Sequence, residues 1–253
     1  MHHDYLDRYA NQDSPVHDLD ARAKVLAVLL YTVVLVSVPK YQLAPLAPFA
    51  VLPLAMLVVG RIPLGFVLKR ILIVSPFVAC LAAFNPIWDT QLRPFAGTWV
   101  RGGWLVAASV LIKFTLGMGA LIALTSTTRF SDLLAGLQRL GVPRVLVMQL
   151  GFLYRYLFVL IDQAMRMRRA RDARLGGYAS AVLRLRAVGG IVGVLLLRTL
   201  EQAERIHQAM QARGYDGTVR TLRRGRFGWT EVLFLLAVGA YVTAARLSVL
   251  VAG

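Results

Sequence analysis

The chain has little means of cross-linking itself and few side chains for buried acid–base chemistry. Of its 253 residues one is cysteine, Cys80, inside an apolar run, so an internal disulfide is excluded. Only 13 residues are acidic, against 29 lysines and arginines. Apart from their ends, the long apolar runs hold no Asp, Glu or His. Proton- and ion-coupled carriers need such groups in the membrane, which disfavours a self-contained secondary transporter. No G-x-x-x-x-G-K-[ST] loop is present, so the chain does not hydrolyse ATP by itself. No zinc-protease, serine-hydrolase or paired-carboxylate arrangement stands out, which disfavours a membrane-embedded enzyme. The histidines are His2, His3, His17 and His207. Met1-His2-His3 has the chemistry to chelate copper or nickel through backbone amides, but a polar arm without a resident metal is the plainer reading. The polar, acidic first twenty residues do not resemble a cleavable signal peptide. No fixed-period repeat and no low-complexity segment appears.

What is abundant is apolar. Hydrophobic residues make up 57% of the chain, above the ~45–50% of soluble domains. They gather in runs long enough to cross a bilayer with their flanks: Val25–Val38, Leu43–Val59, Phe66–Phe84, Trp104–Leu124 and Trp229–Val251. Asp20 is placed to cap the first. The second holds Pro45, Pro48 and Pro53, and the third Pro76, where a kink is expected; membrane helices tolerate such prolines. Trp88, Trp99 and Trp104 mark a membrane–water interface around a loop at 85–103. Lys113 is a lone charge within the fourth run.

The texture changes after residue 128. Residues 129–229 hold 18 arginines, no lysine and six acids, a net charge of +12. Ser131-Asp132 opens a short helix that Gly141 ends, and two long amphipathic helices follow, Arg144 to about Arg174 and about Ala179 to Arg213. Each long helix ends on an Ala-Arg pair close to glycine: Ala173-Arg174-Leu175-Gly176, and Ala212-Arg213-Gly214. Glycine just past a helix supplies a left-handed cap. A cation there also favours the helix dipole, by ~0.3–1 kcal/mol. Beyond that, two guanidinium forks on two helix tips suit docking into acidic grooves. Basic residues interleaved with apolar stripes are a poor nucleic-acid surface, and many can meet anionic lipid headgroups.

The arginine bias sets an orientation. With 129–229 cytoplasmic, Arg61, Lys69 and Arg70 fall on the same side, the N-terminus is cytoplasmic and the C-terminus external. The expected fold is an all-α integral membrane protein of about five transmembrane helices, with a short and two long cytoplasmic coupling helices. Its segments are a polar arm (1–22), a four-span membrane domain (23–128), a coupling-helix domain (129–217), and a basic linker with the last transmembrane helix (218–253).

Three stretches, SPVHDLDARAKVLAVLL, RLGVPRVLVMQLGFLYRYLFVLIDQAMRMRRARDAR and RTLEQAERIHQAMQARGYDG, resemble the transmembrane coupling (T) component of energy-coupling factor (ECF) transporters, in the cobalt/nickel CbiQ/NikQ branch. The family carries two Ala-Arg-Gly signatures on its coupling-helix tips, each docking on one ATPase. The second matches in full at Ala212, Arg213 and Gly214. The first matches at Ala173 and Arg174 but has Leu175 in place of glycine, and Ala170-Arg171 is a rival register. The resemblance implies a bacterial inner-membrane, multi-pass, non-catalytic subunit of a metal importer, cobalt favoured over nickel. Its partners would be the lipid bilayer, two ABC-type ATPases, a CbiM-like substrate-binding membrane subunit and a small CbiN-like accessory subunit. No cofactor is implied in this chain; ATP and Mg would be bound by the ATPases.

Overall fold

The computed structural model describes residues 14–89, 91–95, 98–175, 180–215 and 228–251. It is helical almost throughout: α1 (Pro15–Asp18), α2 (Ala21–Ser37), α3 (Val51–Val59), α4 (Leu64–Ala83), α5 (Asn85–Trp88), α6 (Gly102–Thr127), α7 (Phe130–Arg139), α8 (Arg144–Leu175), α9 (Ala181–Ala212) and α10 (Trp229–Val251). The chain divides into two compact units, Met1–Leu140 with Arg223–Gly253, and Gly141–Leu222. The first is built on α1 to α7 and α10, the second on α8 and α9.

In the first unit the buried side of α2 packs against α6 and α10. Lipid is as apolar as leucine, so close packing rather than the hydrophobic effect holds membrane helices together. Ala27 of α2 and Ala120 and Ala123 of α6 are completely buried, and such small side chains let helices approach closely. Tyr31 carries its hydroxyl into this core and donates to the Phe49 carbonyl at 2.8 Å. The opposite faces are apolar and exposed, as at Leu72, Ile73 and Phe77 of α4; in a spanning helix these positions meet lipid.

Local signals account for most element ends. The Asp20 carboxylate accepts from the Arg22 amide at 3.0 Å and caps α2, as expected. Gly141, at φ +102°, follows α7 in the conformation glycine tolerates. Arg129, rather than Ser131 or Asp132, holds the N-cap position of α7. Pro76 lies inside an unbroken α4. The ring removes one amide donor to the Leu72 carbonyl, and the Ser75 hydroxyl donates to that carbonyl at 3.1 Å.

Three elements differ from the sequence reading. The second apolar run is not one helix. Its prolines favour two 3-10 turns, Ala44–Leu46 and Pro48–Ala50, before the nine-residue α3. The loop at 85–103 contains α5 and a short antiparallel hairpin, β1 (Leu92–Phe95) with β2 (Thr98–Arg101), Leu92 opposite Arg101. Segments 64–88, 102–127 and 229–249 are long and apolar enough to span, and so by composition is 144–174, within a helix read from sequence as cytoplasmic.

The two lysines nearest the α2–α6 pair each cap the other helix. Lys24, only 1% exposed, donates from Nζ to the Thr127 carbonyl at the end of α6 (2.9 Å) and to the His17 carbonyl (3.3 Å). Lys113 of α6 donates to the Val36 and Val38 carbonyls at the end of α2, at 3.3 and 2.5 Å. Helix C-termini leave carbonyls without partners and carry partial negative charge, so a cation there answers both needs. Lys113, the lone charge of the fourth run, is thus held by a structural role.

Candidate functional site

The second unit is a pair of long helices joined by a short connection. Four positions of that connection, 176–179, lie outside the described residues, as do His2, His3 and the basic residues 220–226. The helices run antiparallel. Tyr215, just past α9, donates its hydroxyl to the sulfur of Met148 near the start of α8. At mid-length Gln163 of α8 donates to the Gln202 side chain of α9 at 3.2 Å. Beyond it, Arg174 shares a cleft with Ala187 and Ile191 of α9.

This places the two candidate tips at opposite ends of the pair. Met148, beside the end of α9, and Arg174 lie 26 positions apart on α8, roughly 40 Å at 1.5 Å per residue. The tip at Arg213 is built by a Schellman motif. Gly214 takes φ +78°, its amide donates to the Gln211 carbonyl (2.9 Å), and the Tyr215 amide reaches back to the Met210 carbonyl (3.0 Å). Tyr215 then packs with Met210 on the wall of an apolar cleft. Ala212 is the last residue of α9, and the exposed Arg213 is its C-cap.

At the other tip Ala173 and Arg174 are exposed in the last turn of α8, and the backbone of Leu175 ends it. The rival Arg171 is engaged within its own helix, donating from Nε and Nη2 to Asp172 at 3.0 and 2.6 Å. Arg168 stands 3.9 Å from the same carboxylate. Neither Arg174 nor Arg213 pairs with a carboxylate among the described residues. Among the described residues, then, Arg171 has a carboxylate partner and Arg174 does not.

The family model described as CbiQ, Cobalt transport protein, matches residues 12–222. The chain belongs to this family. It is 31% identical over 231 residues to the energy-coupling factor transporter transmembrane protein EcfT of Heliobacterium modesticaldum, covering 84% of each chain. It is 31% identical over 199 residues to the cobalt transport protein CbiQ of Rhodobacter capsulatus, covering 79% of this chain and 80% of that one. It is also 31% identical over 176 residues to the nickel permease LarQ of Lactiplantibacillus plantarum, covering 62% of this chain and 63% of that one. The protein is therefore a multi-pass protein of the cell membrane and the transmembrane component of an ECF-type transporter.

Among the described residues no three His, Cys, Asp or Glu side chains gather to hold a metal ion. Sequence reading singled out both arginine tips but missed Lys24, Tyr215 and Met148. Lys24 lies in the charged flank of an apolar run, and Met148 is 67 positions from Tyr215, so neither pairing has a local signal.

Proposed function

We propose that this chain carries ATPase motion to a substrate-binding membrane subunit, with Arg174 and Arg213 as the two docking points. The observation that carries this reading is the antiparallel α8–α9 pair, with a guanidinium at each end that has no carboxylate partner among the described residues. A single partner groove would be served by two cations side by side. Two tips roughly 40 Å apart suit two separate subunits. Ala173 and Leu175 flank the first tip, and Ala212 and Gly214 the second. Closure of an ATPase dimer on ATP would shift both tips, and the helix pair would relay that shift. The partners are two ABC-type ATPases and a CbiM-like subunit, with a CbiN-like accessory subunit beside them. Cobalt is the favoured cargo, on the family description and the CbiQ relative; LarQ keeps nickel as the second reading.

The test is co-expression of the tagged chain with its candidate ATPases and substrate-binding subunit. The expected outcome is recovery of two ATPases per chain and ATP-dependent uptake of labelled cobalt. Recovery of the chain alone, fully active in uptake, would sink the assignment.

The charge distribution supports a cytoplasmic N-terminus and an external C-terminus. Reporter fusions at Gly177 and Gly253 are expected to report opposite sides of the membrane. Identical reports from both would refute this orientation.

A further inference from the structure

We propose that the cleft between the end of α8 and the first half of α9 binds the phosphate of an anionic phospholipid. It is a space of about 860 Å³ into which Arg166, Arg171 and Arg174 project from α8 and Arg198 from α9. Two acids of this helix pair already have basic partners. Asp172 is held by Arg171 and Arg168, and Glu201 stands 3.8 Å from Arg205. Arg166 of α8 and Arg198 of α9 line this one cleft, without a carboxylate partner among the described residues. Guanidinium groups gathered in one cleft repel, and a phosphate anion relieves that repulsion while matching the planar fork with paired acceptor oxygens.

The floor decides which phosphate. It is made of Ala187, Gly190, Ile191 and Val194 of α9, with Met167 and Ala170 of α8. Inorganic phosphate gains nothing from such a floor, and an acidic protein segment would bury its polar backbone on it. A glycerophospholipid has a use for both parts, phosphate on the arginines and acyl chain along the floor. The apolar surface continues from the cleft along α9 through the exposed Val192, Leu196 and Leu197. The chain resides in a bilayer, and basic pockets between helices of membrane proteins take anionic headgroups. The other cleft of the same helix pair, lined by Phe152, Tyr156, Ile206 and Met210, has no arginine among its described lining residues, so among those residues the charge is particular to this end. The site does not rest on ATPase docking; Arg166 and Arg198 carry it, whatever the two tips bind.

The experiment uses the purified full chain in phosphatidylcholine nanodiscs doped with phosphatidylglycerol, with retained lipid read by native mass spectrometry. Wild type is expected to keep phosphatidylglycerol in preference to phosphatidylcholine. The double change Arg166→Gln with Arg198→Gln is expected to weaken that retention roughly tenfold or more, since hydrogen bonds to charged groups are lost. Gly190→Leu should do the same with every arginine in place. A Cβ at Gly190 meets no atom within 4 Å, so leucine fills the cleft without a backbone clash and favours the helix. Unchanged melting of both variants separates loss of the site from loss of the fold. Arg205→Gln, outside the cleft, should retain lipid as wild type does. Equal retention of the two lipids, or wild-type retention in both cleft variants, overturns the proposal. So does displacement of the lipid by inorganic phosphate, which marks a small-anion site. Phosphatidylglycerol preference seen only after an ATPase subunit is added overturns it too, marking a protein interface.

Discussion

Arg213→Ala is expected to release one ATPase subunit from the complex, Arg174→Ala the other, and the double variant to lose cobalt uptake and metal-stimulated ATPase activity. Truncating one member of a buried charged pair at an interface costs roughly 2–5 kcal/mol. Either single change therefore weakens its docking by more than tenfold. Lysine is expected to rescue poorly, because it keeps the charge and loses the planar fork. Gly214→Ala gives an intermediate result. Alanine at φ +78° carries a left-handed penalty of roughly 1–2 kcal/mol, which frays the Schellman turn and loosens Arg213 without removing its charge. Both arginines are exposed within the chain, so expression and melting should match wild type. The measurements are uptake and the ATPase-to-chain ratio after purification for each variant. Full uptake with normal stoichiometry in the double variant would reduce both arginines to ordinary helix caps.

The ends of α8 and α9 were legible because helix capping is local. Ala212-Arg213-Gly214 contains the left-handed glycine that the Schellman turn needs; the Tyr215 amide and the carbonyls of the turn before complete it. The pairing that distinguishes Arg171 from Arg174 was not legible, since it depends on where the Arg171 side chain goes; the adjacent Asp172 takes it. The opposite placement of the tips was not legible; it rests on side-chain pairings between α8 and α9, Gln163 with Gln202 and Met148 with Tyr215, that have no local signal. Elsewhere the apolar runs were located correctly, but their internal form was not. Proline spacing at 45, 48 and 53 signals tolerance of a broken helix and does not say that 3-10 turns replace it. The β1–β2 hairpin is short and carries Pro94, and its residues have no clean alternation to reveal it. The first half of α8 is apolar around most of its circumference, with Arg155 the one charge between Val145 and Ile161. A leucine stripe at helical spacing concealed how continuous that surface is.

Lys24→Met is expected to be the most damaging change in the first unit, lowering stability by about 2–4 kcal/mol. Two opposing effects have to be weighed. Removing a buried charge recovers its desolvation cost, and methionine nearly fills the same volume. Against that, the Thr127 and His17 carbonyls lose a charged donor, in surroundings where Lys24 itself is almost completely buried. Thr127 is equally buried, so water does not readily replace the lost donor, and an unmade buried hydrogen bond costs more than a made one contributes. The loss therefore wins. Arginine is not expected to restore stability, because its larger planar head has no room at a position with 1% exposure. Lys113→Met removes the equivalent cap at the other end of α2, but one of its two bonds is exposed and the other part-buried, so about half the effect is expected. Thermal unfolding of the purified chain in one detergent, for wild type, Lys24→Met and Lys113→Met, checks the order. A Lys24→Met protein that melts with wild type would show that the cross-helix caps contribute nothing to the fold. If Lys113→Met proved the more damaging of the two, burial would not be what sets the cost.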